Sequence, residues 1–169
     1  IPLLSKFFQY FVSSLAMDGQ DMCIPTLSNN LQMQRLGLRV IDVVLRTCGE
    51  SILSYDPIMT IIQNELCKHL IRIMLKYPDF VGSALQTFAF LVVYYRTRLK
   101  VQIEILFNAI YLRALSGSIR DSEVVGVILE KLIFLSSIPT LWCELYVNYD
   151  CDIRCSNVLQ NLCELLAKN

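Results

Sequence analysis

Residues 80–95, FVGSALQTFAFLVVYY, place apolar side chains on every side of a helical wheel, with only Ser83, Gln86 and Thr87 interrupting them. A helix of this kind has no face to offer to water, so it must be enclosed by other helices or by lipid. It falls short of the ~20 residues that a membrane span needs, and no run of ~18 apolar residues occurs elsewhere. The segment is therefore expected to be a central buried helix, and the rest of the chain must supply the helices that cover it. Residues of the apolar classes make up 54% of the chain and the mean hydropathy is +0.49. That excess has to go into an interior or into interfaces.

The remaining segments supply those helices. Pro2 to about Met17 carries Leu3, Leu4, Phe7, Phe8, Phe11, Val12 and Leu15 at spacings of three and four, the period of one helix face. Asp18–Asn30 is rich in Asp, Ser, Asn and Gly and holds Pro25, and it is expected to be a mobile loop. Leu31–Cys48 is helical, with Arg35, Arg39, Asp42 and Arg46 in one polar stripe and Gly49 as its stop. The stripe suits either a solvated face, with Asp42 between Arg39 and Arg46, or a docking surface for an acidic partner. Asp56-Pro57 is expected to cap and open a helix that runs to about Lys76. Pro78 ends it, and Asp79 is expected to cap the buried helix.

Another helix spans about Leu99 to Leu115 and is broken by Ser116-Gly117-Ser118. Asp121 or Ser122 caps a helix through Leu135, and Ser137-Ile138-Pro139 starts a short one to about Val147. After a polar and aromatic knot, Tyr146–Asp152, Asp152 or Ser156 is expected to cap the last helix. No segment alternates at period two for the length of a strand. The fold class is all-α: a single domain over 1–169, an armadillo- or HEAT-like right-handed helical solenoid of about eight helices. Ile1-Pro2 opens in a helical pattern with no initiator Met, so the chain reads as a fragment of a longer one.

Chemistry is sparse. Lysine plus arginine and aspartate plus glutamate both number 15, so no net field favours nucleic acid, and none is expected as a partner. Seven cysteines among mostly apolar neighbours read as reduced, buried thiols of a cytosolic protein. His69 is the only histidine, so a nucleophile–base pair would have to be built on it, and Cys143, Cys151, Cys155 and Cys163 cluster in one region but include no C-x-x-C pair and no second histidine for a zinc site. Glycine-rich phosphate loops are missing. No cofactor, metal or catalytic residue is expected, and binding is left as the function. Arg96, Arg98 and Lys100, beside Tyr94 and Tyr95, fit two roles: cations set against a helix C-terminus, or contacts to an anion or lipid headgroup.

The knot carries a resemblance. The stretch 138–152, IPTLWCELYVNYDCD with its N-Y-D-C-D core at 148–152, resembles the box that names the HUS (homology upstream) domain of large Arf guanine-nucleotide exchange factors. Cys155-Ser156-Asn157, residues 165–169, 64–70 and 96–102 are similar to the Golgi brefeldin A-resistance factor class. The likeness covers nearly the whole chain, weakly before Leu31 and strongly after Pro139. Asp18–Asn30 and the tyrosines at 94 and 95 depart from the pattern.

The resemblance implies a non-catalytic regulatory module, cytoplasmic and peripheral on Golgi membranes. Exchange itself would belong to a separate domain further along the full-length protein. The implied partners are the DCB (dimerisation and cyclophilin-binding) domain of the same or another protomer and small GTPases of the Arf or Rab families. A generic helical-repeat adaptor is the alternative. Within the box, Tyr146, Asn148, Tyr149, Asp150, Cys151 and Asp152 are expected either to fix the angle between the last two helices or to touch a partner. In the first role Asn148 would take a left-handed conformation, Asp150 would bind loop amides and Asp152 would cap the next helix.

Overall fold

The structure, a computed structural model, describes residues 2–16 and 24–168. Among these residues there are eight helices and no strand. They are α1 (Pro2–Ser14), α2 (Ile24–Cys48), α3 (56–76), α4 (Val81–Tyr95), α5 (100–115), α6 (Ser122–Ser136), α7 (141–150) and α8 (Val158–Lys168). Three of them, α3, α5 and α7, contain one π-helical stretch each, at Ile62–Leu66, Phe107–Tyr111 and Tyr146–Asp150. The wider turn inserts a residue and rotates the apolar stripe beyond it.

Two rows of helices stack side by side, which is the layout of an all-α solenoid. In one row α1 meets α3, α3 meets α5 and α5 meets α8; in the other α2 meets α4 and α4 meets α6. The buried helix anticipated from sequence is α4, lying between α2, α3 and α6. Nine of its fifteen residues are buried, among them Phe88, Leu91, Val92 and Tyr95, and the Tyr95 hydroxyl donates to the Gly49 carbonyl at 2.5 Å. The alternation ends after α6. Ser122–Ser136 and Leu141–Asp150 are bent through 98°, so α7 turns the corner that brings α8 back to α5. No single helix among the described residues is long and apolar enough to cross a membrane.

Helix ends follow the sequence in part. Gly49 (φ +47°) ends α2 and Gly117 (φ +72°) ends α5, both in the left-handed region that glycine adopts freely. Asp121 caps α6, its Oδ1 accepting from the amides of Glu123 and Val124 at 3.0 and 3.3 Å. Two expected caps are not made. Asp56 is the first helical residue of α3, after Tyr55, and its carboxylate pairs with Arg98. Asp79 sits inside a 3-10 turn, Pro78–Phe80, and faces Arg35 at 3.9 Å. In both cases the aspartate already lies inside a helical turn, past the position from which a side chain caps.

The expected loop 18–30 is shortened from its far end, because α2 starts at Ile24. Pro25 falls in the first turn, where its missing N–H costs nothing; residues 17–23 lie outside the described residues. The cysteines are also less buried than their neighbours suggested. Cys67 is buried, and burial pushes its thiol up to about 12, but Cys143, Cys151 and Cys163 are exposed. Cys23 lies outside the described residues.

The α1–α2 crossing depends on Gly37. A Cβ there would stand 2.6 Å from Ser14 Oγ and 3.2 Å from the Phe11 carbonyl oxygen, and Ser14 is itself tied to that carbonyl at 2.6 Å. Gly37→Ala is expected to lose up to about 2 kcal/mol, since the overpacking of ~1–3 kcal/mol outweighs a helix-propensity gain of ~1 kcal/mol. Urea unfolding checks the sign.

Candidate functional site at the junction of the last helices

The box residues do not form an irregular knot. Tyr146–Asp150 continues α7 as a π turn, closed by the Cys151 amide on the Tyr146 carbonyl at 3.0 Å. Asn148 is therefore helical rather than left-handed, and no non-glycine residue among those described has a positive φ. The chain leaves the helix through Cys151–Asn157 and re-enters at Val158.

Asp150 reaches across this connection. Its Oδ1 accepts from the Leu159 amide at 3.0 Å and its Oδ2 from the Gln160 amide at 2.8 Å. Those N–H groups belong to the first turn of α8 and have no partner within the helix. One carboxylate at the end of α7 thus supplies the N-terminal cap of α8, a task that the sequence assigned to Asp152 or Ser156. Asp152 is occupied elsewhere. Its Oδ1 accepts from the Arg154 amide and Nε, both at 3.0 Å, and its Oδ2 faces Arg154 at 2.9 Å and Lys100 Nζ at 2.7 Å. Hydrogen bonds from Arg154 and then Lys100 hold its carboxyl well below the usual carboxylate range.

Four further bonds fasten the corner to α5. The buried Tyr149 donates its hydroxyl to the Lys100 carbonyl at 2.9 Å, and its desolvated phenol is raised above its ordinary value. Glu104 Oε1 accepts from the Ser156 amide at 2.6 Å and the Ser156 hydroxyl at 2.8 Å. Asn108 Nδ2 donates to that same hydroxyl at 2.9 Å. Glu104 and Asn108 were not singled out from sequence; they lie more than one helix away from Ser156, and only folding discloses the match.

The basic trio is split among three carboxylates. Arg96 makes a two-pronged bond to Glu144, with distances of 2.5 and 3.0 Å, and donates to the Val93 carbonyl at 2.7 Å in the last turn of α4. Lys100 joins Asp152, so two candidate sites separated in sequence meet in space. Arg98 turns away to Asp56 at 3.2 Å. All three cations proposed as anion contacts thus face carboxylates, and Arg96 also satisfies a carbonyl at a helix end. Tyr146, Val147, Asn148 and Cys151 remain exposed, and Ile153 at the tip of the connection is fully so, with 101% of its reference area. Among the described residues no group of three or more His, Cys, Asp or Glu is arranged to hold a metal ion.

The Arg96–Glu144 bond makes a prediction about acid. The guanidinium hydrogen bond lowers the Glu144 carboxyl below its ordinary 4.5, against the opposing effect of burial. A carboxylate whose folded value is depressed stabilises the fold above its unfolded value, and that contribution disappears as pH falls through the folded value. Stability measured below pH 4.5 is expected to fall less steeply in Glu144→Gln than in the unaltered protein, while Glu144→Gln is the less stable of the two near neutrality.

Comparison with known proteins places the sequence in a family. A profile described as "Mon2/Sec7/BIG1-like, HUS domain" matches residues 5–158. The chain is similar to the ARF guanine-nucleotide exchange factor GNOM of Arabidopsis thaliana, 28% identical over 175 residues, which is 100% of this chain and 12% of the relative. It is similar to the Golgi-specific brefeldin A-resistance guanine nucleotide exchange factor 1 homolog of Caenorhabditis elegans, 30% identical over 148 residues, covering 83% of the chain and 8% of the relative. Brefeldin A-inhibited guanine nucleotide-exchange protein 1 of Rattus norvegicus is 26% identical over 142 residues, again 83% of the chain and 8% of the relative. The chain therefore spans only a small part of the length of these relatives. No solved structure matches it. The profile match runs from α1 through α7 and the connection that carries Asp152 up to the first residue of α8, and the chain belongs to the HUS-domain family of the Mon2/Sec7/BIG1-like proteins.

Proposed function

We propose that the chain is a non-catalytic regulatory module of an Arf guanine-nucleotide exchange factor, peripheral on Golgi membranes. It acts by associating with the DCB domain of the same or another protomer and with small GTPases of the Arf or Rab families. The observation that carries this is the profile match over 5–158, together with relatives whose names describe Arf exchange factors and a Golgi-specific one. A stacked array of helices works by offering extended surfaces, and two are available for partners. Leu3, Leu4, Phe7 and Tyr10 leave the outer face of α1 exposed at the end of its row, and Tyr146, Val147 and Ile153 stand out at the corner. The first suits an apolar partner surface, such as another helix pair stacking on the row. In the corner, Asp150 and Tyr149 would hold the angle while the exposed neighbours meet the partner.

The GTPase part is tested by capturing purified Arf- and Rab-family GTPases on the immobilised chain in their GTP and GDP states. Saturable capture of one of them in one nucleotide state is the expected result. Equal capture in both states, or none, contradicts recruitment.

A further inference from the structure

The groove between α2 and the N-terminal half of α4 is not used by anything described so far. It encloses about 340 Å³, and its floor is apolar: Leu38 and Phe80 are 2% and 3% exposed. Over that floor stand Arg35 and Arg39, one turn apart on α2, and Ser83 and Gln86 from α4. Ser83 is the only exposed residue of α4. Two carboxylates line the same groove. Asp42 Oδ2 is matched within its own helix by Arg46 at 3.0 Å, while its buried Oδ1 has no hydrogen-bond partner. Asp79, 82% exposed at the mouth, faces Arg35 loosely at 3.9 Å, and Arg35 also lies over the Phe80 ring at 5.5 Å from its centroid. Among the described residues the Arg39 guanidinium, the Ser83 hydroxyl and the Gln86 carboxamide have no hydrogen-bond or ion partner. Three donor groups from two helices thus open on one cavity above an apolar floor.

We propose that this groove binds the carboxylate of an acidic peptide segment, the side-chain stem lying on Leu38 and Phe80 and the head on Arg39, Ser83 and Gln86. A planar carboxylate takes two parallel bonds from a guanidinium and still accepts from a hydroxyl and an amide. The two aspartates decide between oxyanions. A phosphomonoester, with a charge near −2, would face both Asp42 and Asp79, whereas a single carboxylate meets less repulsion. They also favour a segment in which the acidic residue is followed by a basic one that reaches Asp79. This site goes beyond the regulatory function proposed above, because it lies between α2 and α4, away from both surfaces assigned there.

The test titrates the 169-residue chain against a fluorescein-labelled peptide of glutamate, leucine and lysine, read by anisotropy. The same peptide with every glutamate changed to glutamine, and a version with phosphoserine in place of glutamate, run in parallel. The glutamate peptide is expected to bind at least about tenfold more tightly than the glutamine one, and to weaken in high salt. Arg39→Glu and the milder Arg39→Gln, both at an exposed position, should each weaken it by about tenfold or more, and Ser83→Ala with Gln86→Ala by about threefold. Lys68→Glu, an exposed charge on α3, should change nothing. No binding of the glutamate peptide, equal binding of the Arg39 variants, or tighter binding of the phosphoserine peptide would each overturn the proposal.

Discussion

Phe88→Ala is expected to lower the stability of the chain by about 3–5 kcal/mol, the largest effect of any single truncation considered. Phe88 is 0% exposed at the centre of α4, and α4 is held by helices of both rows. Neighbours fixed on several sides cannot collapse into the space that the ring leaves, so the cavity cost adds to the lost transfer free energy. For a chain of this size the melting temperature should fall by about 6–20 °C, at roughly 2–4 °C per kcal/mol. Ile133→Ala on α6 is the contrast. Ile133 is 71% exposed, and its truncation should stay within ~0.5 kcal/mol. Calorimetric melting of the two variants tests whether α4 is the centre of the stack. Equal, small losses would mean that it is not.

The second large effect belongs to Asp150. Removing its carboxylate in Asp150→Ala strips the α8 amides of Leu159 and Gln160 of their acceptor and leaves two backbone donors for water to satisfy at a partly buried turn. Losing a charged cap and the bonds it makes costs about 1–3 kcal/mol. Asp150→Asn keeps the shape and one acceptor oxygen, and should recover part of the loss. The effect is local in origin but reaches further, because α8 packs on α5 as well as α7. Hydrogen exchange should show faster exchange of the α8 amides in the alanine variant, with α1–α4 unchanged. A melting temperature equal to that of the unaltered protein, with partner binding lost, would assign Asp150 to direct contact instead.

Much of the architecture was legible because it rests on one signal. Apolar residues at spacings of three and four mark each helix, and the all-round apolar run that became α4 required covering helices on several sides. What could not be read depends on contacts made only after folding. The start of α2 was missed because Thr26, Ser28, Asn29 and Asn30 favour caps and turns over helix interiors. The π turns leave no mark in the periodicity of so short a stretch.

In the corner, the residue types were visible while their pairings were not. Asp152 reads as the cap and Asp150 as a ligand of loop amides, and Arg154 and Lys100 beside Asp152 are what take it out of that role. In the same way Glu144 claims Arg96 and Asp56 claims Arg98, so a basic cluster in sequence becomes three separate ion pairs in space. Exposed pairs such as Arg98–Asp56 add little to stability, since water screens both partners. Their consequence is that the cluster offers no concentrated positive field.

The proposed association with a DCB domain is the central claim, and calorimetric titration of the 169-residue chain with a separately prepared DCB domain of an Arf exchange factor measures it most directly. Saturable binding with a micromolar or tighter constant, weakened at least about tenfold by Phe7→Asp on the exposed face of α1, is the predicted result. No saturable heat at concentrations of about 100 μM would contradict it.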